Sequence, residues 1–430
     1  MLTCLLLLGC KQVSKESAIL ETAEKNSFMR KIAIDPINEN AVLKYSDIYN
    51  SIQFVKLETI NDNLIGRIDK IIATDDKFVI LDLAIAKKIF VFDRYGKFLN
   101  TISKNGEGPE EYDTPNDITY DKYNDELLVL CHNKKKIMKF KMDGTFVKNI
   151  KIEWWVASIY VAGKNTYLVY LNNYTQKDGK INDYNLLIIN DNGEVISKLL
   201  PYNKDGIALS PPCGKIFSTF QNELLFTPYY NNKSFIIDLD SVKLRNKYYF
   251  DFGKRNIPQS LFSHTITPKE FNNKVHKESD YAFNIIFAET SSHISTQFIY
   301  KRKIYTCIHS KESCITKFSS VFLNDINSMY SGGILCTQKD DSLIGYIEPQ
   351  GFVELQSLIK EIKKKPDNIE HLFIDKLKNN SLNINDHLKD NLCKAINSTK
   401  FTLSEEEIDF INSIDEADNP IIQIITLKKF

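Results

Sequence analysis

Four stretches of the chain align with one another, and together they decide the fold. They are KKIFVFDRYGKFLNTI (87–102), KKIMKFKMDGTFVKNI (135–150), YNLLIINDNGEVISKL (184–199) and KSFIIDLDSVKLRNKY (233–248). Each contains two apolar, alternating runs around a short turn rich in Asp or Asn, which is the pattern of a β-hairpin. The turn positions Gly96, Gly144, Gly193 and Ser241 recur at intervals of 48, 49 and 48 residues. This constant interval predicts one structural unit copied along the chain.

Two further apolar strands precede each hairpin. The nearer strands are KFVILDL (77–83), ELLVLCH (126–132), TYLVYLN (166–172) and ELLFTPY (223–229). The strands before them are IDKIIAT (68–74), NDITYD (116–121), VASIYVA (156–162) and KIFSTF (215–220). Four short strands in a unit of about 40 to 50 residues are typical of a β-propeller blade, whereas an α-solenoid would show a period of 3.6 within the unit.

Two more units follow the four that align best. A fifth lies in HISTQFIYKRKIYTCIHSKESCITKF (293–318), and a sixth begins near Gly333 but lacks its outer strands. The terminal segments SIQFVKLE (51–58) and PIIQIITLKKF (420–430) can supply them. Pairing both chain ends in one blade closes the ring and removes open sheet edges. We therefore predict an all-β fold, a single six-bladed propeller of four-stranded blades over residues 51–430.

Two helical insertions interrupt the repeat. About 31 residues are added near 254–285, where Thr267-Pro268-Lys269-Glu270 has the order of a capping box with proline at the first helical position. A longer segment over 352–413 has helical spacing, and Ser404 to Glu407 gives a second capping box. We expect these helices to be appended to one face of the ring, because about sixty residues would make only a marginal separate domain.

The N-terminus has the pattern of a targeting signal rather than of a strand or helix of the fold. Met1 to Gly9 is a short apolar run, and Leu7-Leu8-Gly9-Cys10 resembles a bacterial lipobox, in which Cys10 is diacylated after signal cleavage. This predicts a lipoprotein signal peptide over 1–10, a tether over 11–50, and a membrane anchor. The protein would then lie in the cell envelope, on the periplasmic or surface side of the outer membrane. The alternative is a frayed apolar terminus with an incidental cysteine.

Composition excludes several classes of protein. The chain has 430 residues, with 55 Lys and Arg against 55 Asp and Glu, so it lacks the excess positive charge of a nucleic-acid binder. No run of about 18 apolar residues follows the N-terminus, so no transmembrane helix is expected. The eight cysteines form no C-x-x-C pair, which leaves zinc and redox motifs unsupported and favours buried free thiols.

One connection between blades carries a family resemblance. NGEGPEEY (105–112) resembles the inter-blade signature of NHL-type propellers, in which G-x-G-P-x-x-F/Y joins an outer strand to the next inner strand. The chain as a whole resembles the six-bladed β-propeller lipoproteins of Gram-negative gut anaerobes over roughly residues 50 to 350 and the final strand. Further stretches that carry this likeness are VKLET (55–59), LIGRIDKII (64–72), FVFDRYGKFL (90–99) and DEADNPIIQI (415–424). The resemblance implies a lipid-anchored, exported propeller and no catalytic motif.

No catalytic or metal motif stands out in the chain. G-x-S-x-G, H-E-x-x-H and the P-loop are all missing, and the seven histidines do not pair at ligand spacing. The oxygen-rich stretch Asn190 to Glu194 occupies the repeat's hairpin position, so it predicts turn chemistry rather than calcium binding. We expect no cofactor and no bound metal.

The candidate ligand contacts lie where the chain departs from its own repeat. Trp154 and Trp155, the only tryptophans, occupy an inter-blade connection and could stack on sugar rings or a peptide, or could pack between blades. Arg255 and His264 belong to the 254–285 insertion, which must lie over a face or the rim. These residues favour a binding module for a glycan, peptide or partner protein. The alternative is a propeller enzyme, a lyase or hydrolase, with its site at the mouth of the central channel.

Overall fold

The predicted six-bladed propeller is confirmed. The computed structural model describes residues 29–35, 41–102, 106, 108–174, 183–202, 206–209, 216–263, 265–277, 280–326, 333–364, 390–391, 393–395 and 404–430. Each of the six blades is built on four antiparallel strands, and the innermost strands of neighbouring blades pack side by side around the ring.

The strands follow the repeat in chain order. Three come before the first complete blade: β1 (Arg30–Ala33), β2 (Val42–Lys44) and β3 (Tyr49–Lys56). Blade 1 contains β4 (Lys70–Ala73), β5 (Lys77–Asp82), β6 (Lys88–Asp93) and β7 (Phe98–Ile102). Blade 2 contains β8 (Asp117–Asp121), β9 (Glu126–Cys131), β10 (Lys136–Lys141) and β11 (Phe146–Lys151). Blade 3 contains β12 (Ser158–Gly163), β13 (Thr166–Tyr170), β14 (Tyr184–Asn190) and β15 (Val195–Pro201).

The second half of the ring is less regular. Blade 4 contains β16 (Phe217–Phe220), β17 (Glu223–Phe226), β18 (Lys233–Asp238) and β19 (Lys243–Asp251). Blade 5 contains β20 (Phe283–Glu289), β21 (His293–Tyr300), β22 (Lys303–Ser310) and β23 (Thr316–Ser319), and the short β24 (Val321–Leu323) follows it. Blade 6 contains β25 (Ile334–Lys339), β26 (Ser342–Ile347), β27 (Ile421–Leu427) and β3.

The outer hairpins explain the constant interval in the sequence. Gly96, Gly144 and Gly193 have φ values of +89°, +87° and +83°, which glycine adopts without steric cost. A Cβ atom at Gly96 would lie 2.1 Å from the carbonyl oxygen of Lys56, so the position also has no room for a side chain. In blade 4 the corresponding turn contains Val242 at φ +52°, which accounts for the weaker repeat there.

The two chain ends close the ring, as predicted. Strand β27 pairs antiparallel with β3, and the register places Ile421 opposite Lys56 and Thr426 opposite Ser51. The Ser51 and Thr426 hydroxyl oxygens are 2.7 Å apart across this seam. Blade 6 therefore has no open edge at the junction, and unfolding of either terminus would open the ring.

Part of the stretch assigned to a tether is structured, which corrects the boundary of that segment. Strand β1 pairs in parallel with β19 and makes blade 4 five-stranded, while β2 pairs in parallel with β24. The guanidinium of Arg30 donates to the carbonyl of Lys311, 3.0 Å away, in the outer turn of blade 5. These two strands are hard to predict from sequence, because β1 and β2 are only four and three residues long and lie outside the repeat.

Both predicted helical insertions contain the expected caps. Helix α1 (Pro268–Asn272) begins after Thr267, whose hydroxyl accepts from the Glu270 amide at 3.2 Å, and continues into the π-helical turn Asn273–Lys277. Helices α2 (Pro349–Lys364) and α3 (Glu405–Asn412) lie between β26 and β27. The capping box of α3 at Ser404 forms as predicted.

The free cysteines of the described residues range from buried to exposed, and Cys336 and Cys393 are intermediate. Cys131 and Cys307 are buried free thiols, as expected, whereas Cys314 is exposed at φ +59°. Burial raises the pKa of the Cys131 thiol to about 12 and raises that of Cys307 further still. Among the helices in the described part of the chain, none is long and apolar enough to cross a membrane.

Candidate functional site

The ring has two faces that differ in the connections they carry. One face carries the connections from an outer strand to the next inner strand together with the loops between second and third strands; we call it the loop face. Contacts between the two kinds of connection confirm that they share it: the His132 ring is 2.7 Å from the Val156 carbonyl, and the Tyr230 hydroxyl is 2.8 Å from the His276 ring. The opposite side, the turn face, carries the short hairpin turns. Trp154, Trp155 and the 254–285 insertion thus lie on one face.

A pocket of about 300 Å³ opens on the loop face between blades 3 and 4, and the insertion forms one of its walls. Its polar lining consists of Tyr170, Asn172, Asn173, Asn185, Tyr229, Tyr230, Asn231, Asn232, Lys233, Tyr249, Asn256 and Gln259. Its remaining lining consists of Leu200, Pro201, Gly206, Ile207, Leu209, Pro228, Ile257 and Phe262. Four separate connections therefore build one cavity.

Asparagine side chains hold the blade 3 wall of the pocket. The side-chain oxygen of Asn185 accepts from the backbone amide of Asn173 at 2.7 Å, and the two side-chain amides are hydrogen-bonded to each other. The Asn172 amide donates to the carbonyl of Leu209, which ties this loop to the next inter-blade connection. Asn172 and Asn173 have φ values of +51° and +55°, a conformation that asparagine tolerates better than most residues.

Asparagines also hold the opposite wall. The Asn232 side chain donates to the Asn256 carbonyl oxygen at 3.0 Å and accepts from the Asn284 amide at 3.3 Å. The Asn256 amide group in turn donates to the Tyr249 hydroxyl at 3.1 Å and to the Asp251 carboxylate at 2.6 Å. This network joins blade 4, blade 5 and the start of the insertion, so the wall is rigid before any ligand binds.

Aromatic residues anchor the insertion over the pocket. The Tyr230 ring packs edge-on against Phe271 of α1 at 4.8 Å and contacts Phe283 at 5.0 Å. Tyr229 packs on Tyr230 at 4.2 Å and stays half-buried at the pocket wall. His276 completes the cluster, and burial lowers its pKa, so its ring is neutral near pH 7. The insertion is therefore fixed to the ring by an apolar underside of its own.

The pocket is close to neutral. Lys233 is the single charged side chain among its described lining residues, and its ammonium lies 5.5 Å from the centre of the Tyr249 ring. Burial raises the pKa of both Tyr230 and Tyr249 to about 12, so their phenols stay protonated. The lining thus offers amide groups, hydroxyls and aromatic rings, which suits an uncharged polar ligand better than an anion or a metal ion.

The two tryptophans have different environments. Trp154 is 4% exposed and lies in the apolar cluster between blades 2 and 3, so it packs between blades rather than facing a ligand. Trp155 is half-buried, and its ring lies 4.3 Å from that of His132. Of the two tryptophans, Trp155 is therefore the one whose ring reaches the surface of the loop face.

Arg255, one of the two insertion residues named from the sequence, is not among the residues that line the pocket. Arg255 donates to the Tyr300 hydroxyl at 2.8 Å and pairs with Asp280 at 3.5 Å, so it ties the insertion to blade 5. His264 lies outside the described residues, as does the lipidation candidate Cys10. The expectation that Arg255 contacts an anionic or polar ligand has no support from these contacts.

One buried polar cluster lies where the innermost strands of blades 1 to 3 begin, at the loop-face end of the central channel. Asp117 accepts from the Lys70 ammonium at 2.8 Å, the Ser158 hydroxyl at 2.6 Å and the Ile159 amide at 2.9 Å. These residues lie on the innermost strands of blades 1, 2 and 3, and the Asp117 side chain is 1% exposed. Their geometry locks three blades together and leaves Ser158 no access to a substrate.

The local bonding at Asn190 to Glu194 is that of the hairpin turn predicted from the sequence. The Asn190 side-chain oxygen accepts from the amides of Asn192 and Glu194 at 2.9 and 3.0 Å, as in an Asx turn. Asp191 instead pairs with Lys139 and Lys148. No group of three or more His, Cys, Asp or Glu side chains in the described ranges has a metal-binding arrangement.

Sequence reasoning missed the asparagine and tyrosine residues that build the pocket. The signal was present in LNNY (171–174) and TPYYNN (227–232), two loops in which amides and aromatics replace ordinary turn residues. Both loops follow the second strand of a blade, so the repeat alone would have placed them side by side on one face. Taken singly, each loop predicts only a turn, and its place beside the other loop on one face goes unnoticed.

Comparisons with known proteins agree with the fold. The model of a family described as "Domain of unknown function (DUF4934)" matches residues 29–385. A crystal structure from Bacteroides fragilis NCTC 9343, of a protein whose name proposes export, is similar with a TM-score of 0.65 and 15% identity over 93% of this chain and 100% of that one. A DUF4221 family member from Bacteroides vulgatus ATCC 8482 has a TM-score of 0.45 and 11% identity over 69% and 91%. No curated protein matches the chain.

Proposed function

The chain belongs to the family described as a domain of unknown function (DUF4934), and we propose that it is an exported, lipid-anchored propeller that binds a neutral glycan. The anchor is Cys10, and the binding site is the loop-face pocket between blades 3 and 4. One observation carries the glycan assignment: among the described residues, the pocket lining combines six asparagines and four tyrosines with a single charged side chain. Sugar hydroxyls need amide and hydroxyl partners, and aromatic rings pack on their apolar faces.

The rigidity of the pocket supports binding over catalysis. Its asparagines are held by bonds within and between blades, so the cavity exists before the ligand arrives. At the channel mouth, where a propeller lyase or hydrolase would place its acids and bases, Asp117 is saturated by structural partners. The geometry therefore favours the binding module.

The path of the N-terminal strand is compatible with an anchor at Cys10. Strand β1 begins beside the Lys311 to Cys314 turn of blade 5, on the turn face, and runs toward the loop face at Asp251. A tether that joins the ring on the turn face lies on the opposite side from the pocket. The loop face is then free to meet ligands while the protein stays attached to its membrane.

A substitution at the pocket rim tests the binding site. Gln259 lines the pocket and is exposed, so Gln259→Trp narrows the entrance without disturbing a buried contact. The full chain in detergent is titrated by calorimetry against a panel of neutral and anionic mono- and oligosaccharides. We expect a neutral sugar to bind wild type and to lose at least tenfold in affinity with the variant. Gln53→Trp, the same change at an exposed position of blade 6, is the control. Failure of every sugar to bind wild type overturns the glycan assignment.

The anchor is tested separately. Wild-type chain expressed in a Gram-negative host is expected in the membrane fraction and is released by detergent, whereas Cys10→Ala is expected in the soluble fraction. Cys4→Ala, a matched change in the same apolar run, should behave as wild type. Membrane retention of Cys10→Ala to the wild-type extent contradicts the anchor and leaves the pocket assignment untouched.

A further inference from the structure

A second aromatic surface lies next to the pocket on the loop face. The His132 ring sits 4.3 Å from the Trp155 ring and 5.6 Å from the Tyr174 ring, edge-on to both. All three residues are half-buried, and they come from three different connections of blades 2 and 3. We call His132, Trp155 and Tyr174 the aromatic trio.

The trio is held in place from below. The His132 Nδ1 atom is 2.7 Å from the carbonyl oxygen of Val156, and because a carbonyl only accepts, Nδ1 carries the proton. The neighbouring Trp154 is buried in the core between blades 2 and 3 and fixes the backbone that carries Trp155. Rings fixed in this way lose little conformational entropy on binding, which is the property of a good stacking surface.

The trio is continuous with the pocket. Tyr174 directly follows Asn173, a pocket-lining residue whose backbone amide donates to Asn185 at 2.7 Å. The Tyr202 hydroxyl donates to the Asn173 carbonyl at 3.4 Å, so both sides of this loop are tied to blade 3. One short, fixed segment thus joins a polar, neutral cavity to an aromatic surface on the same face.

We propose that the trio is a second subsite for the same ligand, which makes that ligand a neutral glycan chain of several sugar units running across blades 2 to 4. The inference rests on the proposed function of the pocket. The pocket binds one end of the chain through amides and phenols, and the trio binds a later sugar unit by stacking on its apolar face. A single sugar fills the pocket and leaves the trio empty.

The experiment measures affinity against chain length. Linear neutral oligosaccharides of one to six units, of each sugar type that binds the pocket, are titrated into the full chain in detergent. We expect affinity to rise with length and then to level off. The intrinsic fluorescence of the protein should change only with the longer oligomers, because only these reach the aromatic trio. The change can be assigned to Trp155, since Trp154, the other tryptophan, is buried.

Substitutions separate the two subsites. Trp155→Ala should weaken binding of the longest oligomer by about tenfold, in line with loss of an aromatic contact, and should leave the affinity for a single sugar unchanged. Trp155→Phe should restore most of the loss because it keeps a ring. Tyr95→Ala removes an exposed ring on the turn face and is the control, with no effect on either ligand.

The outcomes distinguish this inference from the proposed function. If a single sugar binds, Gln259→Trp blocks it and longer chains bind no tighter, the pocket stands and the second subsite is wrong. If Trp155→Ala weakens single sugars and long chains equally, its effect is structural and the subsite is again wrong. If no sugar binds wild type at all, the proposed function itself fails.

Discussion

Asp117 provides the sharpest test of how the ring is held together. Its buried carboxylate joins Lys70 of blade 1 to Ser158 of blade 3 and also accepts from the amides of Ile118 and Ile159. Asp117→Asn keeps the volume but replaces one accepting oxygen by an NH2 group that faces other donors. Removing one partner of a buried ion pair costs about 3–5 kcal/mol.

This cost converts into a measurable change in melting temperature. Unfolding entropy is about 2.1 cal/mol/K per residue, so the 380 residues of 51–430 have about 0.8 kcal/mol/K. The expected loss then lowers Tm by about 4–6 °C in thermal unfolding followed by circular dichroism. Asp143→Asn, in an exposed hairpin turn that asparagine also suits, should show no measurable shift.

A double-mutant cycle isolates the ion pair itself. Lys70→Met is also expected to destabilise, because it leaves Asp117 with a buried and uncompensated charge. The double variant should be more stable than the sum of the single losses predicts, by about 0.5–3 kcal/mol. An Asp117→Asn protein that melts within 1 °C of wild type, or strict additivity in the cycle, would refute the argument that this network locks three blades.

Trp154, His309 and the cysteines of blade 5 provide three further tests. Trp154→Ala should lower the free energy of unfolding in urea by about 3–5 kcal/mol, as for other large core residues. Trp154→Phe should cost much less, because the buried indole N–H has no hydrogen-bond partner in the described structure. Equal losses of stability in the two variants would contradict this. Burial, Arg30 and His293 lower the pKa of His309 from 6.5 to about 4, so the unfolded chain binds more protons between these values. Stability should therefore fall as the pH drops from 6.5 to 4, and His309→Gln should flatten that part of the curve; an unchanged slope would show that other groups control it. Iodoacetamide should alkylate exposed Cys314 in the native protein but reach Cys307 only after unfolding, as read by peptide mass spectrometry, and prompt labelling of Cys307 would contradict its burial.

The ring could be predicted from the sequence because each hairpin turn needs a residue with positive φ at one position, and glycine at that position is recognisable in the sequence. Gly96, Gly144 and Gly193 satisfy a left-handed conformation, so their spacing measures the blade directly. Where that requirement is met differently, by Val242 in blade 4 or Cys314 in blade 5, the repeat becomes hard to see. Chain closure was also predictable, because an incomplete sixth blade leaves two terminal strands with no other partner.

The candidate site was less predictable because its residues come from different connections. Asn173, Tyr229 and Asn256 meet at one cavity although they belong to three separate loops, and no local pattern links them. Trp155 drew attention by its rarity, but its partner His132 lies 23 positions earlier and appeared unremarkable in the sequence. Arg255 was a poor guide, because a charged residue in an insertion is as useful for fixing the insertion to the ring as for touching a ligand.

The distribution of loop lengths explains why function is sought on one face. Connections on the turn face contain two to five residues, whereas those on the loop face range from two residues up to the 73 residues of 348–420. The blades and their inter-blade cores maintain the ring, so a connection can lengthen without breaking strand pairing. A purely structural ring has no reason to lengthen its connections on one side only. The added residues at 252–282 instead build a wall of the pocket, and the blade 3 loop supplies both Asn173 to the pocket and Tyr174 to the aromatic trio. Connections that depart from the repeat are therefore among the ones that build the proposed binding surface.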